Sequence, residues 1–161
     1  MTRATIVTIV PLDPSRIEET ARLFHRVWHE TQARFQDTRI ARHRDLDFFL
    51  KRVAKRQVRT LVAIVEDRCQ GFTAWTGAKL NSLFVDGASR GLGIGGLLCD
   101  EAEKRMAGDG GTAFYLDCLE GNYAARRFYE GRGWRLEKLE MLESLTPEGL
   151  CRVGAWRMVK P

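Results

Sequence analysis

Residues Arg90-Gly91-Leu92-Gly93-Ile94-Gly95-Gly96 carry the densest chemical signal in the chain. Glycine fills positions 91, 93, 95 and 96, so a helix that starts here begins almost without side chains. Its bare N–H groups can close on an anion, helped by the positive end of the helix dipole. Arg90 adds a fixed positive charge at the mouth of the same turn. A pyrophosphate suits that pattern, and the question becomes which pyrophosphate-bearing molecule brings it.

The elements around the turn narrow the choice. Ala4 to Val10 reads as a β-branched strand, and Asp13 then caps a helix with Pro14 at its first position. Ile17, Ala21, Phe24 and Trp28 recur at helical spacing and carry that helix into the low thirties. A basic loop follows, then a second helix from Asp45 with Leu46, Phe49, Leu50 and Val53 on one face. Trp28, Phe48 and Phe49 read as core. Thr60–Glu66, Gly71–Thr76 and Leu80–Val85 are strands joined by links of a few residues. Parallel neighbours need a crossover of about a dozen residues, so these three are antiparallel. Leu80–Val85, a helix over Leu92–Met106 and a strand over Thr112–Cys118 form a right-handed crossover, which makes that strand pair parallel. Asn122 caps a short helix bearing Ala125, Phe128 and Tyr129 and ending at Gly131 or Gly133. Trp134–Leu142 and Arg152–Val159 close the chain as a strand pair across a Pro147–Gly149 loop.

Gly91, Gly93 and Gly96 formally satisfy the G-x-G-x-x-G dinucleotide fingerprint, and Asp117 follows about twenty residues on. Three features count against a nicotinamide cofactor. Asp86 to Arg90 separate the strand from the first glycine, the preceding sheet is antiparallel, and crossovers are too few for a mononucleotide-binding half. Arg90-Gly91-Leu92-Gly93-Ile94-Gly95 instead matches a Q/R-x-x-G-x-G/A signature. Leu83-Phe84-Val85 precedes it, and Leu116-Asp117-Cys118, Asn122, Ala125, Phe128, Tyr129, Gly133 and Trp134 fit L-x-V…N-x-x-A-x-x-F-Y-x-x-x-G-F. From Leu80 to Trp134 the chain resembles the GNAT superfamily of acyl-CoA-dependent N-acyltransferases, with Cys118 for the usual Val and Trp134 for the usual Phe.

The resemblance implies an α+β fold, an α/β/α sandwich, in a single domain over residues 1–161. Its mixed, mostly antiparallel sheet would contain a splayed parallel strand pair. It implies acetyl-CoA as co-substrate, with no metal, and an amine that attacks the thioester directly without an acyl-enzyme. The pantetheine arm would pair with the backbone of Leu83, Phe84 and Val85, and a backbone N–H there would steady the oxyanion. The pyrophosphate would lie on Gly91, Leu92, Gly93, Ile94, Gly95 and Gly96 beside Arg90. Asn122 and Arg126 count with the cofactor residues. Arg126, with Arg127, Lys104 and Arg105, either screens the 3′-phosphate or is a solvated helix charge. Tyr129 takes the place of the acid that protonates the leaving thiolate; otherwise it is an aromatic packed beside Phe128. A lysine-like amine at pH 7 costs roughly 4.6 kcal/mol to deprotonate and an α-amine about 1–1.4, so a base matters more for the former. Asp117 is its candidate, with Glu120 and Glu30 behind it; otherwise Asp117 is a polar strand end and water suffices.

Composition bounds the rest. The 161 residues carry net charge +5, with 44% hydrophobic and 29% charged residues, an ordinary globular balance that favours anionic ligands. Between Arg34 and Arg59, nine Lys or Arg face three Asp. That segment is either a solvated face or a basic rim for an acidic substrate or for cofactor phosphates. Its aromatics are not interleaved as in single-strand binders, so nucleic acid ranks last. Cys69, Cys99, Cys118 and Cys151 make no CxxC pair, which argues against zinc and against a disulfide framework, and Cys99 and Cys118 read as core. His25, His29 and His43 form no catalytic spacing, and Ser82 and Ser89 lack a triad context. The Ala4–Val10 run is too short for a membrane span and has no small-residue cleavage site. The protein is therefore expected in the cytoplasm, off membranes, acting on a small-molecule amine or a peptide N-terminus. A homodimer through a C-terminal edge strand fits the same pattern. A non-catalytic acyl-CoA-binding regulatory module is the alternative from another functional class.

Overall fold

The computed structural model describes residues 4–161, and its helices begin where the sequence supplies a cap. The Asp13 carboxylate accepts from the Ser15 N–H at 2.9 Å, and the Pro14–Arg16 turn leads into α1 (Ile17–Thr31). Thr20, Ala21, Phe24, Val27 and Trp28 form its buried stripe. Asp37 caps α2 (Thr38–Arg42), and the Asp45 carboxylate accepts from the Phe48 N–H at 2.9 Å to open α3 (Leu46–Arg56). The Asn122 side chain accepts from the Ala125 N–H at 3.2 Å and starts α5 (Tyr123–Glu130). α1 continues from its capped turn without a side-chain cap of its own, and α4 (Ile94–Gly108) has none either; it follows Gly93, whose φ of +75° is the left-handed conformation that glycine adopts freely.

The sheet has seven strands in the order β1 (Thr8–Pro11), β2 (Thr60–Val65), β3 (Arg68–Thr76), β4 (Lys79–Val85), β5 (Phe114–Leu119), β7 (Gly149–Lys160) and β6 (Arg135–Thr146). Every neighbouring pair is antiparallel except β4 and β5. Those two run parallel and meet at Lys79↔Tyr115, with the Tyr115 N–H donating to the Ala78 carbonyl at 3.0 Å. Beyond that point, among the described residues, no ladder joins them. Between Ala74↔Ser82 and Trp75↔Leu80 the register skips Asn81, and such a bulge bends its strand. β4 therefore leans away from β5 and leaves a V-shaped opening in the middle of the sheet.

One hydrophobic cluster lies under α4 and α5 and gathers Leu98, Ala102, Met106, Leu116 and Trp134; Tyr129 and Phe128 pack against it. The other lies under α1 and α3, with Phe24, Trp28, Phe49, Val53 and Phe72. Helices on both faces of one sheet give the expected α/β/α layering. Several boundaries move. The first strand is Thr8–Pro11 rather than Ala4–Val10, because its partner β2 ends at Val65, where Glu66 and Asp67 turn the chain at positive φ. The basic loop holds the short helix α2. The last two strands extend to Thr146 and Gly149, since their pairing continues to Thr146↔Gly149 and leaves a two-residue turn, Pro147–Glu148. No helix among the described residues is long and apolar enough to cross a membrane.

Candidate functional site

Two chambers flank the opening between β4 and β5. The first, about 560 Å³, is built on the glycine turn: Leu83, Phe84, Val85, Arg90, Gly91, Gly93, Ile94, Gly95, Gly96, Asn122 and Tyr129 all line it. Among the described residues, no backbone or capping group takes up the N–H groups of Gly91 through Gly96. Leu97 is the first to turn back, donating to the Gly93 carbonyl at 3.1 Å. Gly91, at φ +89°, and Gly93 both have open space where a Cβ would stand. A stretch of unsatisfied donors at a helix start, facing a cavity, is an anion cradle. Arg90 is exposed at its mouth, and Arg34 reaches the same chamber. The donor set and the shape suit a pyrophosphate with an extended arm along β4.

Two of the expected cofactor residues lie elsewhere. Leu92 is exposed and lines neither chamber. Arg126 lies over the Trp156 ring at 4.7 Å and pairs with Glu130 at 3.0 Å, also away from both chambers. Gly96 lines the cradle but has a second duty: a Cβ there would come within 2.9 Å of Arg132, whose guanidinium donates to the Gly96 carbonyl at 3.1 Å.

The second chamber, about 490 Å³, opens on the sheet face covered by α1 and α3. Phe24 and Trp28 come from α1, Gln32 from just beyond its end, and Leu142, Glu143 and Ser144 from β6. Along β5 the side chains alternate. Phe114, Leu116 and Cys118 are buried toward α4, so Asp117 faces the α1–α3 side and lines this chamber. Its Oδ2 meets Lys79 Nζ at 3.0 Å, while its Oδ1 is buried without a partner. Gln32, Leu83, Phe84, Asn122, Ala125 and Tyr129 border both chambers, so Tyr129 stands at their junction. Burial pushes its phenol well above the usual tyrosine range, which keeps the proton in place at neutral pH.

Glu120 and Glu30 are exposed and line neither chamber. The Cys99 and Cys118 thiols are buried, and burial lifts them to about 12 and about 11, the values of inert core thiols. Ser89 donates to Gln70 at 2.6 Å, and Ser82 accepts from Arg56 at 3.5 Å; neither has a base beside it. The His29 Nε2–H donates to the Arg44 carbonyl at 2.6 Å, and His43 meets Glu148 at 2.8 Å. The resemblance implies an acceptor pocket walled by the first two helices and the last strand pair, but sequence reasoning did not single out the convergence of Arg44, Arg52 and Arg56 on the second chamber. The surplus of positive charge between residues 34 and 59 was the available signal.

A model of the acetyltransferase (GNAT) family matches residues 18–134. A search of curated proteins gives no match. Among solved structures, a GCN5-related N-acetyltransferase from Rhodopseudomonas palustris superposes with a TM-score of 0.76 at 20% identity, covering 99% of this chain and 98% of that one. The PaiA N-acetyltransferase from Thermoplasma acidophilum, solved with coenzyme A, gives 0.71 at 20% identity, with 96% and 98% covered. YncA from Salmonella typhimurium, solved with acetyl-CoA, gives 0.71 at 16% identity, with 95% and 92% covered. The shared architecture is the mixed sheet with its splayed parallel pair, as the glycine-turn resemblance implied.

Proposed function

The chain belongs to the acetyltransferase (GNAT) family, and on that premise we propose that it moves an acetyl group from acetyl-CoA to a primary amine by direct attack. The observation that carries this reading is the uncapped start of α4: unpartnered N–H groups of Gly91, Gly93, Ile94, Gly95 and Gly96, residues that line a chamber running along β4. The pyrophosphate lies there beside Arg90, and the pantetheine arm pairs with the free edge of Leu83, Phe84 and Val85 toward the acceptor chamber. Acetyl-CoA supplies the activated acyl group; the chain supplies geometry and protons.

The amine enters from the second chamber and is oriented by Asp117, whose carboxylate lines it and takes up a proton directly or through water. Lys79 pairs with Oδ2 and fixes the carboxylate. As nitrogen bonds to the acyl carbon, a β4 N–H steadies the oxyanion. The C–S bond then breaks, and the Tyr129 phenol at the chamber junction gives its proton to the departing thiolate. Cytoplasmic residence belongs to the same reading, because all four cysteines are free and buried, as suits a reducing compartment. So does a homodimer formed across the free edge of β6.

The test is thermal stabilisation by acetyl-CoA and CoA beside NADPH and ATP, followed by thiol release with an amine panel. Saturation at 100 times the dissociation constant stabilises by about 2.7 kcal/mol, or about 5–10 °C in a chain of this size. Stabilisation by CoA species together with turnover supports the proposal. Binding without turnover of any amine favours the regulatory module, and a shift with NADPH alone returns the site to a dinucleotide.

A further inference from the structure

Arg44, Arg52 and Arg56 have no task in acetyl transfer as derived above, yet all three reach into the acceptor chamber. Phe48, Arg52 and Arg56 recur at four-residue intervals and form one row along α3. Arg44 stands just ahead of the Asp45 cap, with its backbone carbonyl held by His29. The Arg44 guanidinium lies 4.8 Å from the centres of both the Trp28 and Phe48 rings, and that of Arg52 lies 4.4 Å from Phe48. The Arg56 Nη1 donates to Ser82 on β4 at 3.5 Å.

The partners these three lack are informative. Elsewhere in the same basic segment, Arg39 pairs with Asp37, Arg42 with Glu148, Lys51 with Asp47 and Arg59 with Asp109. Among the described residues, no carboxylate meets Arg44, Arg52 or Arg56. The chamber's other charges cancel: Lys79 pairs with Asp117 at 3.0 Å, and Glu143 with Arg152 at 3.6 Å. Three like charges are thus left around one cavity. Burial, and then mutual repulsion, lower Arg44 and Arg52 to about 10, so both stay charged at neutral pH. Such an arrangement works against folding unless an anion joins it. A guanidinium fork is also the side chain that best matches a carboxylate or phosphoryl group.

We propose that the acceptor is a small amine that also carries an anionic oxyacid group, carboxylate or phosphoryl, which Arg44, Arg52 and Arg56 bind while Asp117 receives the amine. This deepens the acetyl-transfer reading and rests on it. The chamber has the volume of a small-molecule site, and its uncompensated positive charge complements the anionic group of such an amine.

The experiment compares matched pairs: glycine, β-alanine and glutamate against their methyl esters, and 2-aminoethylphosphonate against ethanolamine. Each is assayed by thiol release from acetyl-CoA and by thermal stabilisation of the CoA-bound protein. The wild type should prefer at least one acid over its neutral partner, and the preferred pair separates carboxylate from phosphoryl recognition. Arg52→Gln, and independently Arg56→Gln, should reduce that preference roughly ten- to hundredfold while retaining the affinity for acetyl-CoA. Equal use of acids and neutral partners overturns the proposal, as does an equal loss for both in the variants. If nothing is acetylated but an acid binds, and binding weakens in the arginine variants, the anion site stands and acetyl transfer fails. If the acids neither react nor bind, the anion site is refuted. Binding of single-stranded RNA that is lost in Arg52→Gln, without any response to small acids, would also refute it.

Discussion

Tyr129 shows how much one residue's role depends on what surrounds it. An ordinary phenol has a pKa of about 10, and at neutral pH it can donate to a thiolate only if it is both placed and protonated. In the proposed acetyl transfer, burial meets the second condition and the position between the two chambers meets the first. Tyr129→Phe should lower kcat by roughly 10²–10⁴, with the acetyl-CoA dissociation constant little changed, as read by thiol release and thermal stabilisation. Linkage gives an independent signature. A pKa raised in the folded state means that the associated stability is complete below the unfolded value of about 10 and drains away as pH rises above it. Denaturant melts should therefore show wild-type stability falling more steeply above pH 10 than that of Tyr129→Phe. Both Tyr129 and Asp117 were legible in the sequence, because each sits inside a dense local motif. The partnerless Asp117 Oδ1 and its Lys79 neighbour were not, since Lys79 lies on another strand.

At the scale of elements, the glycine turn explains itself. Side-chain caps open α3 and α5, whereas α4 begins with a left-handed glycine and leaves its first donors free. An Asp or Ser cap in place of Gly93 would satisfy the helix and close the cradle. Gly93→Ala should cost about 1–2 kcal/mol from the left-handed backbone alone. In a chain of this size that lowers the melting temperature by about 2–8 °C, and it should also weaken acetyl-CoA binding measured by calorimetry. The order of the elements was readable because link lengths forbid parallel pairing between residues 60 and 85. Their ends were harder. β1 stops short because β2 turns away, and β6 and β7 run longer because each supplies the other's hydrogen bonds out to the Pro147–Glu148 turn. Such limits come from a partner strand, not from the residues of the strand itself.

For the whole molecule, the proposed division between cofactor and acceptor follows the two faces of one sheet. The cluster under α4 and α5 lies beneath the glycine turn, and the cluster under α1 and α3 lies beneath the second chamber. Phe49 anchors the second. It is fully buried, with its ring centre 4.6 Å from that of Phe24 and 5.8 Å from that of Trp28. Phe49→Ala should destabilise by about 3–5 kcal/mol, measured by denaturant titration. Because Phe24 and Trp28 line the acceptor chamber, its KM for the amine should rise more than its affinity for acetyl-CoA falls.

The sequence alone determined the antiparallel start and parallel middle of the sheet, offered the glycine turn as an anion site and, through family resemblance, singled out Tyr129 and Asp117 as groups worth testing. All of these are written in contiguous residues, where backbone freedom, capping and link length act locally. The splay between β4 and β5 was implied by family resemblance; only the tertiary structure decided that a bulge at Asn81 accompanies it, and that Arg44, Arg52 and Arg56 face one of the two chambers without counter-charge. Charge surplus can be counted along a chain. Whether each charge finds a partner depends on residues as distant as Glu148 and Asp109, which folding alone brings into reach.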